Sequence, residues 1–106
     1  MSDQEKENEV KEIVAQLGQK LRAIRREKGL TQDELWDMSD VQQGSISRLE
    51  RGLSDDLMLS TIFRLTGALE ADPIELLREA RDAVIKRRME AGDQEIESEL
   101  LAAAAL

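Results

Sequence analysis

The residues best suited to chemistry are the polar side chains between positions 42 and 51. A glutamine amide can form two hydrogen bonds with adenine, and an arginine guanidinium can form two with guanine. The same residue types are also common on the solvated face of any helix, so both interpretations stay open at this point. The residues expected to be exposed on this segment are Gln42, Gln43, Gly44, Ser45, Ser47, Arg48 and Arg51.

Residue types needed for catalysis are scarce. The chain has 106 residues and contains no histidine, cysteine or tyrosine, so acid–base work would fall to carboxylates and lysines. These groups show no recognisable catalytic spacing, and no glycine-rich phosphate loop is present. Without cysteine there is also no thiolate metal site. We predict a protein that is not an enzyme and needs no metal and no cofactor.

Two short helices joined by a tight turn are predicted to position the polar residues. Thr31 and Glu34 have the spacing of a capping box, which starts the first of these helices at about Gln32 and lets it run to Ser39. Asp40 lies at the turn, and aspartate tolerates a positive φ better than most residues.

The second helix is predicted to begin near Gln43 and to end at Gly52, because glycine readily adopts the left-handed conformation that ends a helix. Trp36, in the first helix, either joins the core or lies across the surface beside Gly44, which has no side chain to clash with it. The core residues expected from helical spacing are Leu35, Val41, Ile46 and Leu49.

This pair of helices resembles the helix-turn-helix of the phage-repressor family (Cro/cI-like, XRE). The most specific part is Ile46–Gly52, with the sequence ISRLERG, and Leu30–Leu35 and Val41 also agree with the family pattern. The segments similar to the family's first, fourth and fifth helices are Leu17–Arg25, Thr61–Leu69 and Asp72–Leu77. The resemblance therefore covers roughly residues 17–77.

The resemblance implies an all-α fold, a five-helix lambda-repressor-like helix-turn-helix domain with N- and C-terminal helical extensions. It implies that residues 43, 44, 47 and 48 face base edges and that Gln32 binds a phosphate at a helix N-terminus. Arg22, Arg25 and Arg26 on the first helix are either further phosphate contacts or solvated charges. The implied DNA-binding residues are Gln32, Gln42, Gln43, Gly44, Ser45, Ser47, Arg48 and Arg51.

The implied function is that of a cytoplasmic, sequence-specific transcriptional regulator, acting as a repressor that binds a palindromic operator in double-stranded DNA as a homodimer. Four features differ from the usual family pattern: Trp36 replaces alanine, Asp40 replaces glycine, Gln42 replaces serine, and the loop after Gly52 is acidic. A competing interpretation keeps the fold and makes it a protein-interaction module. That module would bind a protein partner, as an antiactivator or antitoxin does, with little or no DNA binding.

The formal net charge of −8 argues against a generic nucleic-acid binder. The charge is unevenly distributed, since residues 20–52 carry a net +1 while residues 1–19, 53–82 and 83–106 carry −3, −4 and −2. Only the segment that contains the two short helices is not acidic. It could bind phosphates at short range, with a weak long-range attraction that salt screens easily.

Apolar residues continue beyond the domain at both ends. We therefore divide the chain into an N-terminal helical extension (1–16), a helix-turn-helix domain (17–78) and a C-terminal helical extension (79–106). The N-terminal extension either folds back on the fifth helix, or frays, or contacts another subunit as a coiled coil. An apolar stripe predicts a first helix from about Glu5 to Lys28 and consists of Val10, Val14, Leu17, Leu21 and Ile24.

The remaining two helices have clear start signals. The fourth is predicted from about Ser60, and the fifth from Asp72, whose side chain caps it ahead of Pro73, to Gly92. The residues predicted to be buried are Ile62, Phe63, Leu65, Thr66 and Leu69 in the fourth helix and Ile74, Leu77, Ala80 and Val84 in the fifth.

The tail, residues 93–106, has high helix propensity and an apolar end. It is a frayed terminus, a helix that docks on a partner subunit through Ile96, Leu100 and Leu101, or a tag read by a protease. Surplus apolar residues often mark a partner surface, so the C-terminal extension is a candidate dimerisation element. No apolar run is long enough to cross a membrane and the acidic N-terminus is unlike a signal peptide, so no membrane contact is expected.

Overall fold

Five helices and a short helical stretch form the part of the chain that the computed structural model describes, residues 2–92 and 100–104. No strand is present in these two ranges, and the all-α prediction is confirmed. The helices are α1 (Asp3–Glu27), α2 (Gln32–Ser39), α3 (Gln43–Glu50), α4 (Leu59–Ala68) and α5 (Pro73–Glu90).

The ends of α2 and α3 follow their local sequence signals. Thr31 Oγ1 accepts a hydrogen bond from the Glu34 N–H at 3.0 Å, and the Thr31 N–H donates to Glu34 Oε1 at 3.1 Å, so the predicted capping box is confirmed. Asp40 ends α2 in the left-handed region with φ 60°, and its N–H donates to the Trp36 carbonyl oxygen at 2.9 Å. Gly52 follows α3 with φ 73°. These ends fix the length of the turn between the two helices.

One apolar core joins all five helices, but two residues predicted to lie in it do not. Phe63 is 46% exposed because it lies about 100° around α4 from the buried Ile62. Ile74 is 62% exposed because the buried side of α5 begins at Leu76, about 200° further around the helix. The core residues are Val14, Leu17, Leu21, Leu35, Val41, Ile46, Leu49, Ile62, Leu65, Leu69, Leu76 and Ala80.

The N-terminal extension packs against α5 of its own chain, and it forms one continuous α1 with the first helix of the domain. Glu12 Oε2 accepts a hydrogen bond from Arg88 Nε at 3.0 Å and pairs with Arg87 at 3.1 Å. Val14 is buried, whereas Val10 is 51% exposed. The arrangement corresponds to the alternative in which the extension folds back on the fifth helix.

Helix α3 crosses α1 at Gly18, which is buried. A Cβ placed on Gly18 would lie 1.9 Å from the carbonyl oxygen of Leu49 and 2.8 Å from its carbonyl carbon. No side chain fits in that space, so the glycine lets the two helix backbones meet. This contact sets how far α3 stands out from the core.

The tail beyond α5 is described only at residues 100–104, which are helical. Leu100 is half-buried and Leu101 is 64% exposed. Ile96, predicted to dock on a partner subunit, lies outside the described residues. None of the described helices has the length and apolar composition required to span a membrane.

Candidate nucleic-acid interface

The outer side of α3 presents the polar residues singled out in the sequence. Its inner side is anchored by Ile46, Leu49 and Glu50, which are all buried. Gln43 and Ser47 are half-buried at the edges of the exposed side. The exposed residues of this segment are Gln42, Gly44, Ser45, Arg48 and Arg51.

A chain of side-chain amides links α2 to α3. Gln43 Nε2 donates a hydrogen bond to Gln32 Oε1 at 2.6 Å, and Gln32 Nε2 donates to Glu50 Oε1 at 3.0 Å. Gln43 keeps its carbonyl oxygen and its second N–H for other partners, which is the donor–acceptor pair that adenine requires. Gln32 therefore orients Gln43, and one N–H of Gln32 is not used in this chain of hydrogen bonds.

Arg25 is not a surface phosphate contact, which corrects one of the expectations for the first helix. It is only 7% exposed, and it forms a two-pronged ion pair with Glu50: Nε donates to Oε2 and Nη2 to Oε1, both at 2.8 Å. Its Nη1 donates to the carbonyl oxygen of Leu30 at 2.7 Å. Because its donors are used within the protein, Arg25 ties α1 to α3 and to the start of α2.

Glu50 is charged in spite of its burial. Burial alone would raise its pKa, but the hydrogen bonds from Arg25 and Gln32, together with the nearby charges of Arg25 and Arg22, outweigh burial and lower the pKa. The hydrogen bond to Glu50 raises the pKa of Arg25 in turn. The pair thus stays ionised, and Glu50 leaves little uncompensated negative charge beneath the α3 surface.

A cationic groove lies between α1 and the C-terminal end of α3. Arg22 and Arg26, one helical turn apart on α1, face Arg51, and all three side chains are exposed. The groove encloses about 730 Å³ and is completed by Gln19, Ala23 and Glu50. Since Arg25 already neutralises Glu50, the three arginines give the groove a net positive charge, which suits an anionic backbone.

Two features of the site were not found by reasoning from the sequence. The Arg25–Glu50 pair was missed, although Arg25 falls four residues after the buried Leu21 and so continues the buried stripe of α1. Arg51 was predicted as a DNA-binding residue without a partner, whereas the structure places it in one groove with Arg22 and Arg26. Within the described ranges, no cluster of acidic side chains is arranged to hold a metal ion.

Trp36 lies on the surface, which excludes the predicted alternative in which it is a core residue. Its side chain is 44% exposed. Gly44 is exposed, and a Cβ placed there would meet no atom within 4 Å. Gly44 is therefore not required to prevent a clash with the indole ring, and the surface beside it is open.

An exposed polar helix, held against a second short helix and flanked by arginines, is the arrangement of a helix-turn-helix protein. Residues 21–76, more than half of the chain, match the family described as helix-turn-helix (HTH_3). The chain belongs to this XRE-type family, whose members are transcriptional regulators rather than enzymes.

Known proteins of this kind resemble the chain in sequence and in structure. It is 38% identical over 61 residues to an uncharacterised HTH-type transcriptional regulator, y4dJ, of Sinorhizobium fredii, covering 58% of this chain and 78% of the relative. The restriction-modification controller protein C.AhdI of Aeromonas hydrophila superposes with a TM-score of 0.56 at 35% identity, over 59% of this chain and 94% of that one. The clp gene regulator ClgR of Corynebacterium glutamicum superposes with a TM-score of 0.62 at 28% identity, over 86% of this chain and 93% of that one.

Proposed function

We propose that this protein is a sequence-specific DNA-binding repressor that occupies a palindromic operator as a homodimer. The observation that carries the proposal is the pairing of two surfaces: the exposed side of α3 and, directly beside it, the groove formed by Arg22, Arg26 and Arg51. In this family α3 enters the major groove of DNA, and cations beside it neutralise phosphates.

Base reading is assigned to the exposed side of α3. Gln43 presents one free N–H and its carbonyl oxygen, and Arg48 is exposed with only a 3.5 Å contact to the Leu53 carbonyl oxygen. An amide of this kind suits adenine, and a free guanidinium suits guanine. Gln42, Gly44, Ser45 and Ser47 complete the surface that approaches the bases.

We assign binding of the DNA backbone to Gln32 and to the cationic groove of the protein. Arg22, Arg26 and Arg51 converge from two helices, so a phosphate between them could receive charge-assisted hydrogen bonds from more than one side. Gln32 lies at the N-terminus of α2, where the helix dipole also favours a phosphate. These contacts position the protein on DNA without reading sequence.

We assign the interface of the homodimer to the exposed side of α4 and the start of α5. Met58, Leu59, Phe63 and Ile74 are 70, 65, 46 and 62% exposed, although all four are large apolar residues. Leu59 and Phe63 lie one turn apart on the same side of α4, so they present one apolar strip. A second copy related by a two-fold axis would cover this strip and would supply the second α3 that a palindrome requires. We also expect the C-terminal extension to contribute to dimerisation.

The cationic groove favours DNA over a protein partner as the ligand of this surface. The chain is acidic overall with a net charge of −8, yet the residues that line this groove include three arginines and a single carboxylate, that of the paired Glu50. The likeness to y4dJ, C.AhdI and ClgR, which are named as a regulator, a controller protein and a gene regulator, supports a role in transcription.

The proposal is tested by selecting bound duplexes from a random DNA pool at low and at moderate salt. We expect enrichment of a palindrome whose half-sites are about one helical turn apart. Recovery of no consensus at either salt concentration would refute the proposal.

A charge-matched pair of variants tests the groove itself. Arg22→Ala combined with Arg26→Ala should weaken binding to the selected duplex and lower the salt slope by about 0.9 for each phosphate contact removed. Arg78→Ala combined with Arg81→Ala removes the same charge from α5 and should leave binding and slope nearly unchanged. Equal effects of the two pairs would mean that net charge, and not the groove, governs binding.

A further inference from the structure

The one tryptophan of the chain lies on the flank of α2 that faces the start of α3. Trp36 follows Gln32 by four residues, so the two side chains share one side of α2. Gln32 is hydrogen-bonded to Gln43 at 2.6 Å, which shows that this side of α2 is turned toward the first residues of α3. Trp36 therefore lies one helical turn from the amide link that orients the proposed base-reading helix.

The indole group of Trp36 has both an open surface and an unused donor. The side chain is 44% exposed. No acceptor within the described residues receives a hydrogen bond from indole Nε1. A tryptophan N–H usually finds a hydrogen-bond acceptor when it becomes buried, as it would in a complex.

We propose that Trp36 contacts the DNA backbone, with its indole N–H donating to a phosphate oxygen and its ring packing on the adjoining deoxyribose. The inference rests on the proposed function and adds a contact to it. Trp36 is on α2 and not on α3, so it reaches the strand beside the major groove and not the base edges. The residue then positions the protein on DNA and reads no base.

The surroundings of Trp36 fit a nucleic acid better than a protein partner. A protein hot spot is normally surrounded by other groups that exclude water, and it forms part of a wider apolar patch. Here the groups one helical turn from Trp36 are polar, namely the amide of Gln32 and the exposed carboxylates of Asp33 and Asp40. The other exposed apolar residue of α2, Met38, is 53% exposed but lies about 200° around the helix from Trp36. An amphipathic ring among polar groups, outside any wider apolar patch, suits a sugar and a phosphate.

A neutral donor has a signature that an arginine lacks. Removal of the indole N–H should weaken binding to every duplex by a similar factor, because phosphates are the same in all sequences. It should leave the salt slope unchanged, because no cation is removed from the interface. The loss should be about five- to tenfold in affinity, which lies within the usual net contribution of a single hydrogen bond.

The fluorescence of Trp36 provides a direct test, since no other tryptophan or tyrosine contributes to the signal. We expect a duplex recovered by the selection, and also a mixed-sequence duplex, to change the emission and to protect the indole from acrylamide. The protection should saturate with the same dissociation constant as a gel-shift titration. Trp36→Phe should show the five- to tenfold loss on both duplexes with an unchanged salt slope.

Controls separate this contact from a structural effect and from failure of the proposed function. Met38→Leu is the matched variant on the opposite side of α2, and it should bind DNA as the unsubstituted chain does. Circular dichroism and thermal melting should show that Trp36→Phe is folded. If the unsubstituted chain binds duplex while Trp36 stays fully open to acrylamide, or if Trp36→Phe changes base preference instead of overall affinity, the inference about Trp36 is wrong and the proposed function stands. If the chain binds no duplex at all, both are wrong.

Discussion

Gly18 and Leu49 bring the backbones of α1 and α3 into direct contact, so that even a methyl group at Gly18 would lie 1.9 Å from the Leu49 carbonyl oxygen. The obstacle is backbone and not the end of a flexible side chain, so relief requires that α3 move away from α1. Because α3 carries the proposed base-reading residues, this contact joins the stability of the domain to the geometry of its DNA-binding surface.

Gly18→Ala is expected to destabilise the protein by about 1–3 kcal/mol, the usual cost of forcing extra atoms into a packed core. Gly67→Ala is the matched control, because Gly67 is also helical but a Cβ there meets nothing within 4 Å. That control should be stabilising by roughly 0.5–1 kcal/mol, since alanine favours helix over glycine. Urea unfolding of both variants checks the prediction, and equal stabilities would contradict it.

Arg25→Ala is expected to destabilise the protein strongly, because it leaves the carboxylate of Glu50 buried without its partner. Breaking a buried ion pair from one side typically costs about 3–5 kcal/mol. Arg78→Ala removes an arginine from the exposed pair with Glu75 and should have no measurable effect. Chemical denaturation gives both values, and similar losses for the two variants would show that the buried pair has no special role.

Acid should weaken the fold through Glu50. Its pKa is lowered in the folded protein, so its contribution to stability is fully present above the ordinary glutamate value of 4.5 and is lost as the pH falls through the lower folded value. Glu50→Gln should be less stable than the unsubstituted chain at neutral pH, and the difference should shrink below 4.5. Unfolding free energies measured across this range test the sign. A difference that does not change with pH would exclude Glu50 as the source.

Gln43→Ala and Arg48→Ala are expected to cost about 1–3 kcal/mol on the selected duplex and to relax preference at one or two base pairs each. Both side chains lie on the outer side of α3, and Gln43 is held in place by Gln32. Competition assays with single-base variants of the duplex measure the preference. A loss of equal size on selected and mixed-sequence DNA would mean that these residues bind backbone and read no base.

Phe63→Glu is expected to weaken the proposed dimer, because it places a charge in the apolar strip that a second copy would cover. Truncation after Ala91 should also weaken the dimer and lower DNA affinity through lost bivalency, while the helix-turn-helix stays folded. Met38→Glu introduces the same charge on α2 and serves as the control. Sedimentation at micromolar concentration reports the assembly. If Phe63→Glu and the truncated chain remain as dimeric as the full chain, the interface lies elsewhere.

The helix ends and the fold class could be predicted from the sequence because their signals act over a few neighbouring residues. The Thr31–Glu34 capping box, the positive φ of Asp40 and the end of α3 at Gly52 all depend on hydrogen bonds or backbone preferences within about one helical turn. The apolar spacing that identifies α1 through α5 is similarly local, and so is the pattern that carries the family resemblance. From these features the polar residues could be predicted to lie on the exposed side of α3.

The side of each helix that faces the core was predictable only where the apolar stripe was unambiguous. Val14, Leu17 and Leu21 are buried as expected, but Phe63 and Ile74 are not. Phe63 lies next to the buried Ile62, and Ile74 lies in the first turn of α5, before the first buried residue Leu76. Hydrophobicity alone does not distinguish the core side from the flank. The way these helices pack against their neighbours determines which side faces the core.

The composition of the candidate site was decided by the tertiary structure. Arg25 and Glu50 are 25 residues apart, and nothing local links them. The close crossing of α1 and α3 at Gly18 brings the two charges together, buries them, and leaves Arg22 and Arg26 facing Arg51. Trp36 was equally undetermined, because its exposure depends on how α2 packs against α3. Such pairings depend on the angle and distance between helices, which are set by the packing of many side chains at once. Short-range sequence signals do not determine these angles and distances.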